Sequence, residues 1–254
     1  MRSLLFRSAL LTPFVVLLTS AAPTPPSLDL ELVKRWDTDE CTAAPLFPEF
    51  FPSQNLSVPE GQRTVAVVVG IGNQTYTCAS AGATPTRTAT AVLYDVHRAL
   101  LSAPDPGVAK YQIVSHGYIF RAPNPAYNLS SADFAGTHAY QPDERPTPDG
   151  SCPTTPPALI PFFRLERTTC PSDPHGPHDL LAFPVAFASS PLSPPGANVD
   201  WAQLRVVGPG VEGTERVAKT IFRTDTQGGG QPRECTFAGQ VDNVPYAALY
   251  WFLR

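Results

Sequence analysis

The end of the chain carries its clearest pattern. From Val244 to Leu253 the residues Tyr246, Ala248, Tyr250 and Phe252 alternate with Ala247, Leu249, Trp251 and Leu253, and both sets are apolar. A strand whose two faces both avoid water is predicted to sit centrally in a β-sandwich or a closed barrel. Two further apolar segments precede it, VDWAQLRVV (199–207) and TERVAKTIFRTDT (214–226), and the three are expected to be inner strands of one β domain. Upstream, residues 64–69 (TVAVVV) and 75–79 predict a hairpin whose loop is Gly70-Ile71-Gly72-Asn73-Gln74. Residues 86–96 begin with strand-like alternation. Val92, Val96, Ala99 and Leu100 then fall at helical spacing, which predicts a strand running into a short helix stopped by Pro104. Residues 113–121 (IVSHGYIFR), 158–165 (ALIPFFRL) and 180–188 complete the predicted strands, and Pro161 assigns the second of these to a sheet edge.

Thirty prolines, clustered at 23–26, 142–161, 171–177 and 191–195, exclude a helical protein because each removes a backbone donor. The expected fold is therefore all-β, a β-sandwich or partly closed barrel with one short helix and long proline-rich loops.

Composition adds the compartment. Arg2 and Arg7 flank the start of an apolar run ending in Thr19-Ser20-Ala21, the form of a secretory signal peptide over 1–21. That run is shorter than the ~20 residues a membrane span requires, so the expected location is extracellular or at the cell wall, with no membrane span. Residues 22–35 end in Lys34-Arg35, which resembles the cut site of a dibasic-processing protease. Cleavage there would make 22–35 a propeptide and leave 36–254 as a single secreted β domain; two ordinary solvated basic residues account for the pair equally well. About 220 residues suit one sizeable core. The formal net charge of −4, without clustered Lys and Arg, argues against nucleic acid or an anionic membrane as partner.

Five cysteines in an exported chain point to disulfides with one cysteine left over. Cys152 and Cys170 bracket a proline-rich stretch and form the local pair. Cys78 and Cys235 each end a predicted strand and form the long-range pair, which leaves Cys41, although four cysteines alone allow three pairings. Asn55, Asn73 and Asn128 begin acceptor sequons in predicted loops and are candidate glycosylation sites.

Six blocks in order carry a family resemblance: VAVVVGIGNQTYTC, TATAVLYDV, HGYIF, ANVDWAQL, IFRTDTQGGGQPREC and YAALYWF. Together they resemble the secreted, mainly fungal family known as domain of unknown function 3455, over roughly Leu56 to Phe252. The chain departs from that family's pattern at His97, where members often have a cysteine, and in an enlarged proline-rich loop over about 141–178. The resemblance implies no catalytic residues and no cofactor. Some relatives bear the label malate dehydrogenase, an activity the residues disfavour. Gly70-Ile71-Gly72 imitates a dinucleotide-binding turn, but Thr75 stands where the third glycine belongs and no helix follows.

Candidate chemistry is sparse. Asp173, His175, His178 and Asp179 are weak candidates for a divalent metal, since imidazole and carboxylate are ordinary ligands; flanking prolines favour a solvated loop. His116 reads as a structural histidine rather than a general base. Asp95, Asp200 and Asp225 could each join a Ser/His/Asp set, which only geometry can establish. No G-x-S-x-G elbow is present. Gly228-Gly229-Gly230 offers backbone N–H groups to an anion, but a mobile connection is the expectation. Trp201 and Trp251 could line a sugar platform, or pack inside strands. The preferred function is a non-catalytic secreted domain acting on an unknown extracellular ligand, with carbohydrate or cell wall as candidates, or as a structural or host-interaction protein. The alternatives are an extracellular hydrolase whose residues converge only in the fold, and a carbohydrate- or small-ligand-binding module.

Overall fold

The computed structural model describes residues 46–49, 55–143, 158–166, 178–191, 196–207, 217–231 and 234–254. All of them belong to one compact unit, residues 38–254. Its strands are β1 (Thr64–Thr77), β2 (Thr86–Asp95), β3 (Phe134–Pro142), β4 (Leu159–Leu165), β5 (His178–Ala188), β6 (Trp201–Val207), β7 (Thr220–Gly228) and β8 (Val241–Leu253). Each pairs antiparallel with the next in chain order, and β8 returns to β1, so the sheet closes on itself as an eight-stranded up-and-down barrel. The all-β expectation holds. Closure is complete, so neither the two-layer sandwich nor the partly closed barrel describes it.

Alternation along the strands separates an inner core from an outer one. Val68, Leu93, Phe163, Leu165, Ile221 and Phe252 point into the barrel. Val67, Val69, Ile71, Phe222, Leu249 and Trp251 point outward and lie beneath two helices, α1 (His97–Ser102) and α2 (Pro106–Phe120). The two-faced apolar pattern of β8 follows from this: one face fills the barrel while the other packs on α2.

Three expectations are corrected. Residues 113–121 are not a strand, because residues 106–120 form α2. The side chain of Asp105 accepts the Val108 N–H and Pro106 supplies the first helical position, a pairing that starts helices. Ala109, Lys110, Ile113, Val114 and Gly117 then make one buried face. Hence the described residues hold two α-helices rather than one; the shorter, α1, is the one the spacing of Val96, Ala99 and Leu100 predicted.

Residues 64–79 are not a hairpin either. β1 runs unbroken for 14 residues and pairs with β2 and β8 straight through Gly70 to Gln74. Its glycines serve approach rather than turning. A Cβ on Gly70 would come within 2.6 Å of the Tyr250 ring, and one on Gly72 would fall on the Thr90 carbonyl oxygen. The Gly70-Ile71-Gly72 stretch therefore lies in mid-strand, not at a phosphate-binding turn.

β4 is not an edge, since it pairs with both β3 and β5. Pro161 is tolerated because the ladder to β5 stops at Phe162, one residue short of it. β4 also crosses the proline-rich 141–178 region, so that region supplies two connections at opposite ends of the barrel; residues 144–157 and 167–177 lie outside the described residues.

The β1–β2, β3–β4, β5–β6 and β7–β8 connections all leave from one end. The opposite end is filled by Val65, Leu180, Val217, Ala218 and Phe252.

Candidate functional site

At the end of the barrel away from Val65 and Leu180, described residues line a cavity of about 250 Å3. Its polar groups are Arg87, His138, Tyr140, Arg223 and Tyr250, contributed by β2, β3, β7 and β8. Phe163, Pro161 and Leu204 wall it, and Leu159 and Phe187, 40% and 48% exposed, stand at its rim. Parity places every one of these side chains. Arg87 shares the inward positions of Ala89, Ala91 and Leu93 on β2, and Arg223 lies two residues beyond inward Ile221 on β7.

His138 is buried against the ring of Phe163, with centroids 4.3 Å apart and planes 16° from parallel. Its Nδ1–H donates to the Phe162 carbonyl at 2.9 Å, which leaves Nε2 as the acceptor of a neutral ring. Burial lowers its pKa from 6.5 to about 4, against the smaller pull of that carbonyl, and neighbouring Arg223 pushes the same way as burial. The folded ring refuses a proton that the unfolded chain accepts below about 6.5. The stability this confers is complete above pH 6.5 and drains as pH falls to about 4, by roughly 3 kcal/mol in all. Substituting His138→Phe is expected to flatten this part of the stability profile, read as denaturant midpoints between pH 4 and 7. Asp225, whose pKa burial raises, acts in the opposite sense, losing stability as pH climbs above its ordinary 3.8. The difference between wild type and variant isolates the imidazole.

Arg223 is 4% exposed. Its Nε and Nη2 donate to one backbone carbonyl, that of Asp200, at 3.0 and 2.8 Å. Tyr246 and Tyr250 touch hydroxyl to hydroxyl at 3.1 Å, and burial raises the pKa of both phenols. Arg223 partly offsets the rise at Tyr250 and, with Arg87, that at Tyr76, so the two guanidiniums act on one cluster of phenols. The Tyr76 hydroxyl donates to the Gly229 carbonyl at 2.6 Å. Among the described residues no carboxylate pairs with either arginine.

The residues singled out in the sequence go mostly elsewhere. Asp95 accepts the His97 N–H at 2.9 Å and so opens α1. The Asp200 side chain is exposed. Asp225 occupies a bulge of β7 with φ 49°, outside the barrel, where its carboxylate accepts the Thr224 hydroxyl at 2.6 Å while Thr224 accepts the Trp251 indole N–H at 2.8 Å. The three aspartates form no Ser/His/Asp set. His116 lies on α2, not on a strand, and contacts the Ala122 carbonyl at 3.1 Å. Trp201 and Trp251 are 3% and 1% exposed, which removes them from any sugar platform.

His178 and Asp179 begin β5 at the filled end, and Asp179 takes a two-point ion pair from Arg164 at 2.9 and 3.1 Å. Asp173 and His175 lie outside the described residues, among which no three His, Cys, Asp or Glu side chains cluster for a metal. Gly228 to Gly230 are packed rather than mobile: the Gly228 N–H donates to Asn198 Oδ1 at 2.7 Å, and a Cβ there would strike Tyr118. Cys78 and Cys235 are joined, tying the end of β1 to the β7–β8 connection. Cys41, Cys152 and Cys170 lie outside the described residues. Asn55 and Asn128 are exposed, whereas Asn73 lies within β1, not in a loop, and accepts from Arg121 at 3.1 Å.

An eight-stranded antiparallel barrel with a cationic, tyrosine-lined cavity at one end is thus the class of protein. A family model described as protein of unknown function (DUF3455) matches residues 59–254, and the chain belongs to that family. No curated protein and no solved structure matches it.

Proposed function

We propose that this is a secreted, non-catalytic barrel that binds a small molecule within its open end. The observation that carries the proposal is the cavity of about 250 Å3, with polar groups inside and an apolar rim facing solvent, the usual make-up of a ligand site. Of imidazole and carboxylate, the side chains that most often act as acid and base, the described lining residues supply one imidazole and no carboxylate. A hydrolytic pair would need two such groups within reach of each other, and Asp95, Asp200 and Asp225 are engaged or exposed elsewhere. Export is supported by the leader-like first 21 residues and by the Cys78–Cys235 cystine.

The test is to express the full chain in a secreting host and screen it by thermal shift against a small-molecule library, alongside a hydrolase substrate panel. The expected result is stabilisation by a subset of small molecules with no turnover. Turnover abolished by changing a single His or Asp would overturn the proposal.

A further inference from the structure

We infer that the cavity takes a small aromatic carboxylate, its acid group held by Arg223 and Arg87 and its ring against Phe163 and Pro161. This rests on the small-molecule reading and names the ligand class. Two guanidiniums line one small space, and among the described residues neither meets a carboxylate. A cation as buried as Arg223 is stable when an anion compensates it, and the Asp200 carbonyl supplies only a dipole. Guanidinium matches carboxylate in shape as well as charge, through paired N–H donors. The hydroxyls of Tyr140 and Tyr250 face the same space and can donate to the same acid.

The body of the ligand follows from the other walls. Phe163, already stacked on His138, and Pro161 and Phe187 present flat apolar surfaces, and Leu204 adds a branched one. A volume of about 250 Å3 corresponds to roughly eight waters. That is room enough for a single substituted ring, whose rigid faces suit these walls without the ordering cost a flexible acyl chain would incur. The donor of His138 is committed to Phe162, so Nε2 offers a lone pair to a ring hydroxyl.

The experiment uses the full secreted chain and calorimetric titration with 4-hydroxybenzoate, its neutral amide 4-hydroxybenzamide, and dodecanoate. The expected order has the aromatic acid at least tenfold tighter than the amide, with dodecanoate weaker still. Arg223→Met and Arg87→Met should each cost tenfold or more in affinity for the acid, while ligand-free Arg223→Met keeps or raises the Tm because an uncompensated charge is gone. If Arg223→Met does not fold, Arg223→Lys and Arg87→Met carry the affinity comparison. Amide and acid binding equally, or dodecanoate binding best, would overturn the ligand class and leave the small-molecule reading standing. Silence from all three probes and from a neutral and acidic library alike would overturn both.

Discussion

Gly72→Ala is expected to leave little or no folded protein. The new Cβ would fall on the carbonyl oxygen of Thr90, with the Ala91 Cα at 2.6 Å. Both are backbone atoms of the neighbouring strand, so no rotamer change relieves the overlap, and β1 and β2 must part where Gly72 opposes Ala91. Separating one pair of strands opens a barrel that has no other edge, so the loss should exceed roughly 4 kcal/mol. Gly82→Ala is the control: its φ of 73° strains a non-glycine residue, but nothing lies within 4 Å of the added carbon. It should cost about 1–2 kcal/mol. Soluble yield and Tm of the two variants decide the matter; a mild Gly72→Ala would mean that Gly70 to Gln74 forms a turn after all.

Removing the cystine, as Cys78→Ser with Cys235→Ser, should produce the next largest loss. The bond joins residues 157 apart, and closing so long a loop restricts the unfolded chain by about 5 kcal/mol in the chain-entropy account. Backbone bonds surround the cystine in the fold: the Cys78 N–H donates to Gln240 O at 2.9 Å, the Gly82 N–H to Cys235 O at 2.8 Å, and the Gly239 N–H to Cys78 O at 2.8 Å. These should hold the native arrangement of the serine variant, so the change acts mainly on the unfolded chain. The expected outcome is a Tm lower by roughly 10–20 °C with an unchanged far-ultraviolet spectrum. A spectrum that also changes would place the cystine's role in shaping the fold instead.

How far the structure could be read beforehand depends on the range over which each signal acts. β8 was legible because eight consecutive residues, Tyr246 to Leu253, alternate with both faces apolar, and nothing but burial on two sides accounts for that. β2 with α1 was legible because its period changes at Val96. α2 was missed for a local reason. Residues 113–120 are rich in β-branched and aromatic side chains, and the start signal Asp105-Pro106 stood directly after the Pro104 taken as a stop. What makes the segment helical is its tertiary partner: Gly117 lets the helix lie on Ile71, whose side-chain carbons would be 3.0 Å from a Cβ there.

The cavity was missed for a different reason. Its five polar residues come from four strands that meet only when the barrel closes, so no local spacing links them. A signal was nonetheless present. Arg87 and Arg223 occupy the same parity as the apolar inward residues of their own strands, and a charge at an inward position is the mark of a lined cavity rather than a solvated face.

The pairing of β1 with β8 also bears on how the molecule comes into being. The Arg63 and Arg254 backbones exchange hydrogen bonds at 3.0 and 2.9 Å, joining the region just before the first strand to the one just after the last. A nascent polypeptide holding seven strands still has two raw borders and an incomplete interior. Completion must therefore wait for synthesis of the eighth, and the longest-range contacts, which are the slowest to find, form at the end. Until then the half-built sheet is exposed to association with its neighbours, so assembly rather than final stability should govern how much protein reaches its destination.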